Sequence, residues 1–136
     1  MVDVNHLNAI SVNHLPGFLG IVFTHVGPGV AKSELTIEAK HMSPNGFLHA
    51  GTVVTLADTS AGYGCASNLP AGAKGFTTIE LKSNHLGTAR DGTIESVARP
   101  IHKGRTTQVW DAIVTHRESG KTIAIFRCTQ LLIYAK

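Results

Sequence analysis

The sequence predicts an α+β domain in which an antiparallel sheet wraps one long, mostly apolar helix. Three observations carry this expectation. Gly and Pro cut most of the chain into short runs with the two-residue period of strands. The stretch from His49 to Ala66 breaks that period and is long enough for four or five helical turns. The C-terminal runs follow one another through short Gly-containing turns suited to antiparallel hairpins.

Taken in order, Val4 to Val12 reads as a short helix. Breaks are expected at Pro16-Gly17, Gly27-Pro28-Gly29, Pro70-Ala71-Gly72, Asp91-Gly92, Lys103-Gly104 and Ser119-Gly120. From Val30, polar Lys32, Glu34 and Thr36 alternate with Ala31, Ser33, Leu35 and Ile37, the signature of a half-buried strand. Thr77 to Lys82 repeats the alternation less cleanly, as do Thr93 to Arg99, Gln108 to His116 and Thr122 to Tyr134. In the helix, Val53, Leu56, Ala57 and Ser60 fall on one side, and Gly51, Thr55, Asp58, Ala61, Gly62 and Cys65 on another. Each interior glycine costs up to about 1 kcal/mol relative to Ala, so the glycines predict close approach of another backbone or a ligand.

The chain has 136 residues, enough for one core, and the whole of 1–136 is expected to form a single domain. Charge is sparse and scattered, with 12 Lys+Arg against 9 Asp+Glu, which argues against a nucleic-acid-binding stripe and a disordered tail. Apolar runs fall far short of the roughly 20 residues of a membrane-spanning helix. The N-terminus has no signal-peptide pattern, so a cytoplasmic protein is expected. Cys65 and Cys128 read as buried free thiols. Wrapped sheets leave exposed edges, and pairing between two copies predicts at least a homodimer.

Asp58 is the only acid between Glu38 and Glu80, and its face lacks the charged neighbours of a solvated helix. It is therefore a candidate for catalysis or binding as well as for an ordinary surface carboxylate. The turn from Ser43 to Gly51 leads into the helix, whose first N–H groups have no intrahelical acceptor and are suited to an oxyanion. His49 would either fix this turn or touch substrate. None of the eight histidines has metal-type spacing, and there is no G-x-S-x-G elbow or phosphate loop. No metal or redox cofactor is expected.

The stretch S-P-N-G-F-L-H-A-G-T-V-V-T-L-A-D-T resembles the signature of the PaaI-like hot-dog thioesterases, N/Q-x-x-G-x-x-H-G-G-x-x-x-x-L-A-E/D, with the acid nine residues beyond the histidine. The stretches Glu80 to Thr93 and Arg99 to Asp111 are similar to the 1,4-dihydroxy-2-naphthoyl-CoA and 4-hydroxybenzoyl-CoA type hydrolases of that family. The likeness covers about Gly17 to Tyr134. It implies a hot-dog fold whose subunits join edge to edge, dimers that pair into homotetramers, and a site at the subunit interface. It further implies hydrolysis of an acyl-CoA, with an aromatic acyl group leading. The alternatives are a short or medium aliphatic acyl-CoA, an acyl-carrier-protein thioester, or a non-catalytic acyl-CoA-binding module.

By the same resemblance Asp58 is nucleophile or general base, the Ala50 N–H polarises the thioester carbonyl, His49 shapes the turn, and Thr78 faces the acid from a strand. The nucleotide end of CoA maps to His85, Leu86, Gly87 and Thr88 and to His102, Lys103, Gly104, Arg105, Thr106 and Thr107, where cations flank a Gly turn. Arg90 is a further candidate. Two positions depart from the pattern. Ser43 stands where the family has Asn or Gln, leaving Asn45 or a water to replace that contact, and Gly62 stands where it has Ser or Thr. Both changes are expected to enlarge or soften the acyl pocket.

Overall fold

The computed structural model describes residues 2–136. Helices α1 (Val4–Ser11) and α2 (Leu15–Leu19) precede strands β1 (Val22–Gly27) and β2 (Val30–Thr36). A 3-10 turn at Ala39–His41 leads to α3 (Ala50–Ser67), followed by β3 (Ala73–His85), β4 (Thr93–Lys103), β5 (Thr107–His116) and β6 (Thr122–Tyr134). The strands form one antiparallel six-stranded sheet in the order β1-β2-β4-β5-β6-β3, and α3 packs across it, the α+β arrangement of the hot-dog fold.

The alternation in β2 is realised: Ala31, Ser33 and Leu35 are buried, while Lys32 and Thr36 face out. β4, β5 and β6 form the meander anticipated from their Gly turns. Pro16-Gly17 departs from the expectation of a break, because both residues lie inside α2. Proline in the first turn of a helix gives up an N–H that has no acceptor there anyway.

α3 buries Val53, Leu56, Ala57 and Ser60, as its spacing predicts, against a core that includes Leu35, Ile94, Trp110, Phe126 and Ile123. The opposite side is split. Gly51 is exposed, and Thr55 and Asp58 are half-buried, but Ala61, Gly62 and Cys65 are covered. At Gly62 and Gly64 the close approach within the chain comes from aromatic rings. A Cβ built on Gly64 would lie 2.6 Å from the Trp110 ring, and one on Gly62 would lie 3.1 Å from Phe76 Cζ.

The two sheet edges differ. β1 is short and bulged, and the Asn8 side chain of α1 bonds both the N–H and the C=O of Phe23. β3, at the other edge, is 13 residues long, pairs only with β6, and leaves Ile79 and Leu81 exposed.

Candidate active site

The start of α3 is fixed by a histidine that the sequence reading passed over. His41 is fully buried; its Nδ1 accepts from the Glu38 N–H at 2.8 Å and its Nε2 donates to the Leu19 carbonyl at 2.7 Å. The His41 carbonyl in turn accepts from the His49 N–H and from the Thr52 hydroxyl, both at 3.0 Å. His49 is the N-cap. Its Nδ1 accepts from the Gly51 N–H at 2.8 Å, so the proton of the neutral ring sits on Nε2, which is left as a donor. Thr52 and Val53 donate to the His49 carbonyl, and the Ala50 N–H has no acceptor among the described residues. One exposed donor at a helix N-terminus, next to a histidine N–H, is a site for developing negative charge on oxygen.

Asp58 lies two turns further along α3. Its Oδ1 is buried and has no hydrogen-bond partner; among the described residues only the Ser83 and Ser96 hydroxyls share that condition. Burial pushes the carboxyl above its ordinary value of 3.8, because the charged form loses hydration and nothing in the chain repays it. A carboxylate with raised proton affinity and a free oxygen is disposed to take a proton or to attack an electrophile. The cysteines are not. Burial pushes Cys65 to about 11 and Cys128 to about 12, with the Asp58 charge adding to the shift at Cys128, so both stay protonated near neutral pH. Both thiols are free and buried, as expected.

Phe76 of β3 lies against Gly62 of α3; two residues on, Thr78 is in register with Gln130 of β6. The Thr78 hydroxyl donates to Oε1 of the fully buried Gln130 at 2.7 Å, and Gln130 Nε2 lies 3.3 Å from Cys128 Sγ. A side chain at Gly62 would meet the Phe76 ring, whose Cζ lies 3.1 Å from the position of a Cβ there.

Other expected site residues are dispersed. Ser43 closes a tight loop through backbone bonds with Gly46 and Phe47, while Asn45 accepts from the Phe47 N–H at 3.2 Å and so spends its side-chain carbonyl within the loop. The Arg90 guanidinium lies 4.7 Å from the Phe47 ring centre, which ties it to this loop and not to the hairpin at 102–107.

Two separations within one chain follow from geometry. Ala50 and Asp58 are eight residues apart on one helix, about 12 Å along its axis, too far for a single carbonyl to meet both. The segments His85 to Thr88 and His102 to Thr107 do not form one surface in the chain. His85 pairs with Ala124 and Thr107 with Leu131, positions about 23 Å apart along β6, so the segments leave from opposite ends of the sheet.

Comparison with known proteins agrees with this architecture. The thioesterase superfamily model matches residues 45–123. A 1,4-dihydroxy-2-naphthoyl-CoA hydrolase of Escherichia coli (strain K12) is 30% identical over 135 residues, covering 97% of this chain and 96% of the relative. Another protein of that name, from Listeria monocytogenes, is 35% identical over 82% of this chain and 89% of its own length. The crystal structure of a mutant thioesterase PA1618 from Pseudomonas aeruginosa superposes with a TM-score of 0.92 at 30% identity, covering 99% of this chain and 96% of that one. With the lone acid on its central helix and the antiparallel sheet around it, the chain belongs to the thioesterase superfamily and has its hot-dog fold.

Proposed function

We propose that this thioesterase hydrolyses an acyl-CoA with an aromatic acyl group, at a site completed by two copies of the chain. The observation that carries the reading is the buried, unpartnered Oδ1 of Asp58. Asp58 either takes a proton from water, whose oxygen attacks the thioester carbonyl carbon, or attacks that carbon itself before water releases the acid. In both routes the C–S bond breaks, the thiolate leaves as CoA and gains a proton, and the acyl group gains a water oxygen. CoA is part of the substrate, and the reading calls for no further cofactor. The aromatic acyl group is supported by the names of the E. coli and Listeria relatives.

The 12 Å gap within α3 is the argument for a second copy. Antiparallel addition of another β3 to the free β3 edge would satisfy its unpaired backbone groups, cover Ile79 and Leu81, and set the Ala50 N–H of one copy against Asp58 of the other. It would also bring the His85 end of one copy beside the 102–107 hairpin of its neighbour, uniting the two segments assigned to the nucleotide. Further pairing of dimers would give the expected homotetramer. We place the protein in the cytoplasm, where its two free thiols stay reduced; no described helix is long and apolar enough to cross a membrane.

Release of free thiol from a panel of aromatic and aliphatic acyl-CoAs and acyl-carrier-protein thioesters tests this reading. Aromatic acyl-CoA should give the highest kcat/KM. Fastest release from another member would reassign the substrate, and ligand-induced stabilisation without turnover would make the chain a binding module. The Lys103→Ala, Arg105→Ala double variant should raise KM for acyl-CoA roughly tenfold with little change in kcat, and leave acyl-pantetheine turnover unaffected. Equal losses on both substrates would remove the hairpin from the nucleotide site.

A further inference from the structure

The hairpin between β4 and β5 is fastened by the last strand of the chain. The β5–β6 ladder ends with Thr107 opposite Leu131, and the Leu132 N–H reaches one residue further, to the Thr106 carbonyl at 2.9 Å. The next carbonyl, that of Arg105, accepts from a side chain: the Tyr134 hydroxyl donates to it. The Tyr134 ring lies beside the Gly72 turn, where a Cβ would stand 3.8 Å from its Cδ1, so the phenol joins the entry to β3 to the hairpin. Its bond sets the plane of one peptide. All described peptide bonds are trans, and in a trans peptide the C=O and the N–H point in opposite directions. With the Arg105 carbonyl held by Tyr134, the Thr106 N–H is directed away from the phenol, and it has no acceptor among the described residues. Lys103 and Arg105 are exposed, and among the described residues neither makes an ion pair. A free backbone donor with two unpaired cations next to it suits a phosphate.

We infer that Tyr134 is a positioning residue for the nucleotide end of the substrate: by holding the Arg105 carbonyl, its hydroxyl presents the Thr106 N–H to a phosphate of CoA beside Lys103 and Arg105. The inference rests on the assignment of this hairpin to the nucleotide. Tyr134 itself touches no substrate atom. Without the phenol the peptide between Arg105 and Thr106 loses the bond that fixes it, because the neighbouring bonds, Leu132 N–H to the Thr106 carbonyl and Gly104 N–H to the Thr107 carbonyl at 2.9 Å, hold the peptides on either side of it. The hairpin would keep its place and its two cations, and would lose the aim of one donor. That loss weakens the hold on phosphate and leaves the thioester end of the site as it was, so it belongs in KM and not in kcat.

The test is Tyr134→Phe, which keeps the ring against Gly72 and removes only the hydroxyl. KM for acyl-CoA should rise about three- to fivefold at constant kcat, and both constants for the matching acyl-pantetheine, which has no nucleotide, should stay at the wild-type values. Calorimetric titration with CoA itself reads the same effect without turnover, and its Kd should rise by a similar factor. Tyr134→Leu, which removes ring and hydroxyl together, should weaken CoA at least as much. An unchanged KM and Kd in Tyr134→Phe, or an equal loss on acyl-CoA and acyl-pantetheine, would overturn the inference; the second result would make the phenol a support of the whole fold. The Lys103→Ala, Arg105→Ala variant is measured alongside. If it weakens acyl-CoA selectively and Tyr134→Phe does not, only the role of Tyr134 falls, whereas equal losses on both substrates in that variant would remove the nucleotide from the hairpin and the inference with it.

Discussion

Ser60 and Asp58 are two residues apart on α3 and are treated in opposite ways by the fold. Ser60 faces the core, where its hydroxyl donates to the Leu56 carbonyl at 3.0 Å and also meets the Ser33 hydroxyl of β2. Asp58 is half-buried on another side, and its buried oxygen meets nothing. On the first side the buried Ser60 hydroxyl is paired twice, as buried polar groups ordinarily are paired. The second keeps an unsatisfied charge half out of water. The difference separates what holds the molecule together from what is left available for a reaction.

The comparison is broken most severely where the helix is tightest. Gly64→Val should lower Tm by roughly 8 °C or more, because even its first carbon would fall inside contact distance of a Trp110 ring that is fully buried and has nowhere to move. Ser60→Ala should cost about 1 to 3 kcal/mol in denaturant unfolding, as Ser33 is left buried without its partner, while kcat on the best acyl-CoA stays the same. A large fall in kcat at constant Tm would mean that the closed side takes part in catalysis. Gly62→Ala should be milder, within about 1 kcal/mol, since the gain in helix propensity offsets a 3.1 Å approach to the tip of the half-buried Phe76 ring. Melting curves of the three variants place them in this order.

The open side predicts a pH effect. Asp58 must be ionised to act, and burial holds its carboxyl above 3.8, so the acid limb of kcat/KM should fall at higher pH than an ordinary aspartate gives. A folded-state value raised above the unfolded one means that the folded chain binds this proton more tightly. The stabilisation from that proton is complete below the unfolded value and is lost as pH rises through the folded one.

Much of this division was legible in the residues. The break in alternation at α3, the regular alternation of β2, and an isolated acid on an uncharged helix face were enough to find the helix, a strand and Asp58. Gln130 was also within reach, since its place in the inward row of β6 is a matter of period, but its partner Thr78, 52 positions away, was not. The contacts of Gly62 with Phe76 and of Gly64 with Trp110 join residues 14 and 46 positions apart, and local pattern has no access to such distances. The opposite exits of the two loop segments likewise depend on strand order.

The central claim is that Asp58 is maintained for chemistry at the expense of stability, and Asp58→Asn tests it when kcat and Tm are read on the same preparation. The amide keeps the shape and removes the buried charge. Turnover should fall at least about 100-fold, while Tm at neutral pH stays equal to the wild type's or rises, and any gain should shrink as pH is lowered through the raised value of the wild-type carboxyl. Near-normal turnover, or a marked drop in Tm together with the lost activity, would contradict the account by making Asp58 a structural residue.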